Sequence, residues 1–126
     1  MMTNHQFSFE KLEVWQDARL LTKMIYLATK DFPQEEKYGL SRQMRRAAIS
    51  VCSNIAEGTS RLSVKDQAHF TSIAFGSLME VLNQAMIAYD LEFFSEKQLS
   101  ELRSIIQPIS VKLSNLRKSQ LSQLGG

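Results

Sequence analysis

The sequence is poor in the residues that interrupt or cross-link a chain. It has 1 cysteine, 2 prolines and 5 glycines among 126 residues. A single cysteine excludes an internal disulfide, and so few glycines and prolines argue against a disordered chain and a turn-rich β-sandwich. No apolar run reaches the roughly 18 residues of a membrane-spanning helix, and the polar first eight residues lack the centre of a signal peptide. We therefore expect a soluble, cytoplasmic, mainly helical protein without a membrane partner.

The chain also lacks a strong net charge of either sign. Its 15 Lys and Arg residues against 13 Asp and Glu residues give a formal net charge of +2. This surplus is too small to identify a nucleic-acid-binding protein unless the cations cluster locally. A chain of 126 residues can bury one hydrophobic core, so we predict a single domain over residues 1–126.

Apolar residues recur at spacings of three and four in four segments of the chain, which is the pattern of amphipathic helices. The predicted helices lie at about residues 9–30, 40–58, 64–92 and 96–121. Four such helices joined by short loops predict an all-α fold, an antiparallel up-down-up-down four-helix bundle. We expect the residues from 121 to 126 to fray.

Residues at the segment ends support these limits. Pro33 ends the first helix, and Gly58 suits the left-handed C-terminal cap of the second. Asp66 follows Ser63 by three positions, and Gln98 follows Ser95 by three, as in a capping box. These pairs predict the starts of the third and fourth helices. Pro108 falls inside the fourth pattern, where we expect a kink rather than a stop.

The third predicted helix carries more apolar surface than one packing face needs. A stripe of mostly small residues runs from Phe70 to Ala88. A second, bulky stripe starts at Phe75, five residues after Phe70, and this offset places the two stripes roughly 140° apart around the helix. Large exposed apolar patches usually mark interfaces. One alternative is that this helix is central in an irregular bundle and buries both stripes. The predicted homo-oligomer interface consists of Phe75, Met79, Leu82, Met86 and Tyr89.

Residues that bind metals or start reactions are scarce. Neither histidine, His5 or His69, belongs to the Glu-x-x-His motif of a di-iron bundle. Cys52 lies among small residues within a helix, where a free cysteine behaves as a small hydrophobe. The sequence contains no glycine-rich phosphate loop, nucleophile elbow or His-Glu-x-x-His motif. We therefore predict no catalytic residue, no metal and no cofactor.

The most informative polar run lies on the second predicted helix, where polar side chains accompany small ones. Arg46, Ser50, Ser53 and Glu57 share one helix face. Because small residues allow a neighbouring helix to approach closely, one interpretation of the run is an interhelical polar network. The members of this network are Arg46, Asn54, Glu57, Glu80 and Gln84.

A second interpretation of the same run is a phosphate-binding surface, because guanidinium groups at this density suit phosphate contacts. The predicted nucleic-acid-binding residues are Arg42, Arg45, Arg46 and Arg61. Further cations could extend this surface, namely Lys11, Arg19, Lys23, Lys112, Arg117 and Lys118. No Trp or Tyr is interleaved with the arginines, so we expect contacts with backbone phosphates rather than stacking on bases.

Several motifs together resemble one bacterial family. They are Phe9-x-x-Leu12-x-Val14-Trp15-Gln16, the turn Phe32-Pro33-x-Glu35-x-x-Tyr38-Gly39-Leu40, and Gln43-x-Arg45-Arg46-Ala47-Ala48-x-Ser50 followed by Ser53-Asn54-Ile55-Ala56-Glu57-Gly58. They resemble the four helix bundle proteins, which include 23S rRNA-intervening sequence proteins, over nearly the whole chain. This resemblance implies a four-helix bundle. More distantly, the chain resembles the accessory variability protein of diversity-generating retroelements, which implies a basic homopentamer that binds nucleic acid and a reverse transcriptase.

The predicted function is therefore that of a non-enzymatic homo-oligomer, pentameric by resemblance, that binds RNA or DNA through its arginines. The alternative is a protein-protein adaptor or scaffold with no nucleic-acid role, in which the polar residues form the internal network. An enzyme would need a carboxylate with a perturbed pKa, such as Glu57 or Glu80, in an open pocket.

Overall fold

The structure is a computed structural model that describes residues 5–124. Its four helices are α1 (Glu13–Thr29), α2 (Leu40–Thr59), α3 (Val64–Asp90) and α4 (Glu96–Ser122). Short 3-10 turns at Ser8–Lys11 and Gln34–Glu36 precede α1 and α2. Consecutive helices pack against each other, and α4 closes the ring by packing on α1. The described residues contain no strand, and the predicted antiparallel four-helix bundle is confirmed.

The core is formed by one apolar stripe from each helix. Burying a large aliphatic side chain contributes about 1.5–3 kcal/mol, so these stripes supply most of the driving force for folding. The largest fully buried side chains are Leu21, Ile25, Met44, Leu78, Ile109, Leu113, Val51 and Val81. No helix among the described residues is long and apolar enough to span a membrane.

The helix starts follow the capping residues. Ser63 Oγ accepts a hydrogen bond from the Asp66 backbone N–H at 3.0 Å, and Ser95 forms a complete capping box with Gln98. The first predicted helix instead starts as a 3-10 turn, and α1 begins at Glu13. Helix α4 continues through Pro108 and reaches Ser122, whereas the last two residues of the segment expected to fray lie outside the described residues.

The prediction that Gly58 is a left-handed helix cap was wrong. No described glycine has a positive φ, and α2 continues to Thr59. A Cβ added at Gly58 would lie 2.9 Å from the Phe70 Cβ, so the glycine allows α3 to approach α2 closely. The left-handed residue is Glu92, with φ 64°, in the turn between α3 and α4.

The two apolar stripes of α3 face two different neighbours. The small stripe packs on α2, while Phe75, Met79 and Leu82 of the bulky stripe are half-buried against the core beside α4. A helix with two neighbours in a ring buries a wide arc, so these three residues need no second copy to cover them. Met86 and Tyr89 are 45% and 41% exposed, so these two of the five predicted interface residues lie on the surface.

Candidate nucleic-acid interface

Cations occur without carboxylates in two segments of the α1–α2 pair, one between Asp17 and Asp31 and one between Glu36 and Glu57. Residues 18–30 and 37–56 contain seven of the fifteen Lys and Arg residues and none of the thirteen Asp and Glu residues. The rest of the chain therefore has eight cations against thirteen carboxylates, and the small net charge hides a strong separation. We call the surface that these seven cations form the α1–α2 basic face: Arg19, Lys23, Lys30, Lys37, Arg42, Arg45 and Arg46.

Helical periodicity places most of these side chains on the outside of the bundle. Exposed positions on α1 recur at spacings of four, three and four, at Arg19, Lys23, Tyr26 and Lys30. On α2, Arg42 and Arg46 are exposed and one helical turn apart. Because α1 and α2 pack side by side, Arg42 lies on the outer surface near the α1 stripe, whereas Arg46 lies towards α3 and lines the α2–α3 groove.

Arg45 is held in place on this face by α1. Its Nε donates to Thr29 Oγ1 at 2.9 Å, and its Nη2 donates to the Tyr26 carbonyl oxygen at 3.3 Å. The guanidinium also lies 4.6 Å from the centroid of the Tyr26 ring. Thr29 is buried, and its hydroxyl donates to the Ile25 carbonyl at 2.8 Å, which leaves its oxygen free to accept from Arg45.

The fold also brings aromatic rings to the arginines, which the sequence had not predicted. The Arg19 guanidinium lies 5.5 Å from the centroid of the Trp15 ring. The Arg45 guanidinium lies closer to its aromatic partner, 4.6 Å from the centroid of the Tyr26 ring. The spacing of four between Trp15 and Arg19 was a usable signal, whereas Tyr26 and Arg45 meet only through the packing of α1 on α2. The Tyr26 side chain remains 39% exposed, enough to offer a surface for stacking.

The four predicted arginines do not form one site. Arg61 lies past the end of α2, roughly 25 Å from Arg42 at 1.5 Å per helical residue. It forms an ion pair with Glu57 at 2.6 Å and covers the Phe70 ring at 4.6 Å. Arg42 and Arg46, in contrast, form no hydrogen bond or ion pair with any residue between 5 and 124. The basic face therefore keeps Arg42, Arg45 and Arg46 and loses Arg61.

The predicted polar network is only partly assembled. Arg46, Glu80 and Gln84 line one groove of about 400 Å³ between α2 and α3. No hydrogen bond joins them within the described part of the chain, and Gln84 Oε1 is buried without a partner. Arg46 is exposed, so the structure does not contain the buried Arg46 ion pair that a stabilising network would need.

The hydrogen bonds between α2 and α3 run instead through two serines. Ser50 Oγ and Ser77 Oγ are 2.8 Å apart, and Asn54 Nδ2 donates to the Ser50 carbonyl at 2.8 Å and to its Oγ at 3.0 Å. These serines are small and lie where the helices approach closely. Glu57, the remaining predicted member, points away to Arg61.

Cys52 and Lys112 have structural surroundings rather than those of a reactive site. Burial raises the pKa of Cys52, which Arg19 lowers in part, so the thiol is a poor nucleophile at neutral pH. Lys112 bridges Glu13 and Asp17 between α4 and α1, and its hydrogen bonds to Asp17 and then Glu13 raise its pKa. Among residues 5–124, no three His, Cys, Asp or Glu residues come together as a metal site would require.

Comparisons with known proteins match this fold. Residues 10–115 match the family described as 23S rRNA-intervening sequence protein. A solved structure from Bacteroides thetaiotaomicron VPI-5482, a protein with unknown function from the S23 ribosomal protein family, aligns with a TM-score of 0.75 and 18% sequence identity. The alignment covers 83% of this chain and 98% of that chain, and at this identity it shows the fold alone. No curated protein matches the chain.

Proposed function

Because the chain belongs to the 23S rRNA-intervening sequence protein family, we propose that it is a binding protein whose α1–α2 basic face contacts the phosphate backbone of RNA or DNA. The observation that carries this proposal is the presence of seven cations and no carboxylate in residues 18–30 and 37–56. Each phosphate that a Lys or Arg neutralises releases condensed counterions, which favours binding without regard to sequence.

The size of the basic face fits several phosphate contacts. Arg19 and Lys30 are separated by about 16 Å along α1, at 1.5 Å per residue. Double-stranded DNA carries roughly one phosphate charge per 1.7 Å of its axis with both strands counted, so this length of duplex carries about nine phosphates, and those on its near side can meet several cations. The exposed Tyr26 ring adds a stacking surface for a single strand. We expect binding that depends strongly on salt and weakly on sequence.

Reversing charges on the outer stripes tests the proposal. Lys23, Arg42 and Arg46 are exposed and form no hydrogen bond or ion pair within residues 5–124, so the triple variant Lys23→Glu, Arg42→Glu, Arg46→Glu should fold. Fluorescence anisotropy with RNA and DNA oligonucleotides should show a loss of affinity of about a hundredfold or more at low salt. The slope of log K against log[salt] should fall by roughly 2 to 3, because each lost contact removes about 0.7–0.9.

The matched control makes the same charge change on α3 and α4. Lys65, Lys97 and Lys118 are likewise exposed and unpaired within residues 5–124, and their replacement by Glu should lower affinity only slightly through the net charge. An equal loss in both triple variants would show that net charge, not the basic face, drives binding. A flat titration of the wild type at 50 mM salt would refute the proposal.

A second candidate function, self-association, is favoured by the outer surface of α3. Gly76 lies in the helix interior, and a Cβ built on it meets no atom within 4 Å. A glycine there costs about 1 kcal/mol relative to alanine without any gain inside the monomer. Ile73 and Ile87 lie on the same stripe and are 38% and 40% exposed. We propose that a second copy packs on this stripe, with backbones close at Gly76.

Charge complementarity supports a second copy as the occupant. Arg46 and Glu80 line the neighbouring groove, and neither forms an ion pair within the described part of the chain. Around a twofold axis each could pair with the opposite residue of the other copy.

Sedimentation of the wild type and Gly76→Lys at micromolar concentration distinguishes the cases. If the stripe is an interface, the wild type is larger than a monomer and Gly76→Lys has the lower mass. Ser104→Lys, which places a lysine at an exposed position of α4, should leave the sedimentation mass unaltered. A monomeric wild type contradicts self-association.

A further inference from the structure

A cavity of about 300 Å³ lies at one end of the α1–α2 basic face, between the end of α1, the following loop and the first turns of α2. Three cations from three different segments line it, together with the hydroxyl-bearing Thr29 and Ser41. The three cations are Lys30, Lys37 and Arg45. We propose that this cavity, which we call the phosphate pocket, binds a single phosphate group. The proposal rests on the proposed nucleic-acid function and extends it to a defined subsite.

Arg45 is the fixed element of the phosphate pocket. A guanidinium has five N–H donors, and Arg45 uses one for Thr29 Oγ1 and one for the Tyr26 carbonyl. Three donors remain for a ligand, in a planar fork that suits the oxygens of a phosphate. Thr29 is 3% exposed, so the residue that orients Arg45 belongs to the core and cannot move independently of α1.

Lys30 and Lys37 supply mobile charges on either side of the loop. Lys30 follows the last residue of α1, and Lys37 follows the short 3-10 turn at Gln34–Glu36. Both are exposed, and neither forms an ion pair within residues 5–124. Two flexible ammonium groups and one fixed guanidinium match the charge of a phosphate better than that of a neutral ligand.

No carboxylate among the described residues lines the phosphate pocket, although three are close in sequence. Asp31, Glu35 and Glu36 belong to the same loop. Glu36 is already engaged, because its Oε1 accepts a hydrogen bond from the Leu40 backbone N–H at 3.1 Å. The charged residues that line the cavity are therefore all cations, whereas Asp31, Glu35 and Glu36 lie in the same loop outside its lining.

The walls of the cavity strengthen its attraction for an anion. Phe32, 8% exposed and packed on Phe93 and Phe94, forms an apolar wall together with Pro33. Coulomb attraction is stronger beside such a wall than in open water. Ser41, in the first turn of α2, also lines the cavity, and the Glu36 carboxylate already accepts from the Leu40 N–H at this helix start. The volume equals about ten water molecules, which is room for a phosphate and part of its ester group.

Titration with inorganic phosphate, followed by ¹⁵N–¹H NMR at constant ionic strength, tests the pocket directly. We expect the largest shifts at the backbone amides of Lys37 and Ser41 and at Arg45 Nε. Lys37→Met, which removes an exposed charge and should not affect folding, should weaken phosphate binding about fivefold, the loss of one charged contact. Lys97→Met is the matched control, since Lys97 is exposed and lies outside both the basic face and the cavity, and the phosphate affinity of this variant should be unchanged. Small shifts spread evenly over the basic face would overturn the proposal.

Oligonucleotides with a 5′-phosphate or a 5′-hydroxyl identify the source of the phosphate. If a strand end occupies the pocket, the 5′-phosphate increases affinity and Lys37→Met abolishes that increase. If an internal phosphodiester occupies it, both oligonucleotides bind equally and Lys37→Met weakens both. Either outcome supports the proposal, whereas unchanged binding of both oligonucleotides to Lys37→Met overturns it.

The two proposals fail in distinguishable ways. If oligonucleotide binding is lost in the Lys23, Arg42 and Arg46 triple variant but not in Lys37→Met, the phosphate pocket is wrong and the basic face stands. If inorganic phosphate binds at Lys37 and Ser41 but no oligonucleotide binds, the pocket is a small-anion site and the nucleic-acid function is wrong.

Discussion

Helix α2 packs against α1 and α3 in two different ways. Towards α1, the contacts are hydrogen bonds from side chains to the partner helix, such as Thr22 Oγ1 to the Ala48 carbonyl at 3.2 Å. Towards α3, they are close approaches of small residues, with Gly58 against Phe70 and the Ser50 and Ser77 hydroxyls 2.8 Å apart. The line of contact between α1 and α2, which we call the α1–α2 seam, is bordered by Lys23 and Arg42, which form no ion pair within residues 5–124. The α2–α3 seam is bordered by the groove of Arg46 and Glu80.

Position around the helix, rather than residue type, decides what each arginine of α2 does. Arg45 and Arg46 are adjacent in sequence but point about 100° apart. Arg45 fastens α2 to α1, whereas Arg46 is exposed and unpaired within residues 5–124. We expect the buried contacts of the α2–α3 seam, at Gly58 and the two serines, to control stability alone, and the contacts of Arg45 in the α1–α2 seam to control stability and binding together.

The largest effect is expected for Gly58→Val, which places a Cβ against Phe70 where only 2.9 Å is available. The Phe70 Cβ is close to the backbone and cannot swing away, so overpacking should lower the free energy of unfolding by about 1–3 kcal/mol. Urea unfolding measures this change, and oligonucleotide affinity should remain normal. Ser53→Val is the control, because it introduces valine at an exposed position of the same helix. Equal losses in both variants would contradict a close α2–α3 contact.

A smaller effect is expected for Thr29→Val on the α1–α2 seam. The substitution keeps the shape of the buried side chain but removes the oxygen that accepts from Arg45 Nε. Loss of this hydrogen bond should reduce the free energy of unfolding by about 1 kcal/mol and weaken phosphate binding as well, since Arg45 is no longer oriented.

Thr22→Val provides the comparison for this prediction. The Thr22 hydroxyl bonds the Ala18 and Ala48 carbonyls on the same seam but does not contact Arg45. It should reduce stability by a similar amount and leave phosphate affinity unchanged. If Thr29→Val lowers stability alone, Arg45 is only a structural residue and the two seams are alike.

The smallest effect is expected at Cys52, which reports on the α1–α2 seam without a change in packing. Burial raises its pKa and Arg19 lowers it in part, so the thiol should react with iodoacetamide more slowly than free cysteine at pH 8. Arg19→Met removes the lowering charge, and the midpoint of the rate against pH should move to higher pH. Lys23→Met should leave the midpoint in place, and a shift to lower pH in Arg19→Met would contradict the assigned cause.

Signals that depend on neighbours in sequence predicted the fold well. The side chains of Ser95 and Gln98 each accept a hydrogen bond from the other residue's backbone N–H. Because the two residues are only three positions apart, the sequence alone predicted this cap. Gly58 could not be assigned in this way, because the same residue suits a left-handed cap and a close helix contact. Only the position of Phe70, twelve residues later on another helix, decides between them.

The candidate site was harder to predict because its partners are distant in sequence. Tyr26 and Arg45 are nineteen residues apart and meet through helix packing, so the aromatic contribution was missed. Phe75 and Met79 looked exposed because the sequence does not show that α4 lies beside them. Arg61 looked like part of the arginine cluster, although the length of α2 carries it to the opposite end of the bundle. The absence of carboxylates from residues 18–30 and 37–56 was readable from the sequence and was missed.

The attachment of Arg45 to Thr29 and Tyr26 also has a consequence for binding kinetics. A free arginine side chain loses on the order of 2 kcal/mol of rotameric entropy when it is immobilised. Arg45 undergoes that loss when the bundle folds, before any ligand is present. Its contact with an anion therefore requires no rearrangement of its own, and association at this end of the molecule should be governed by diffusion and long-range attraction.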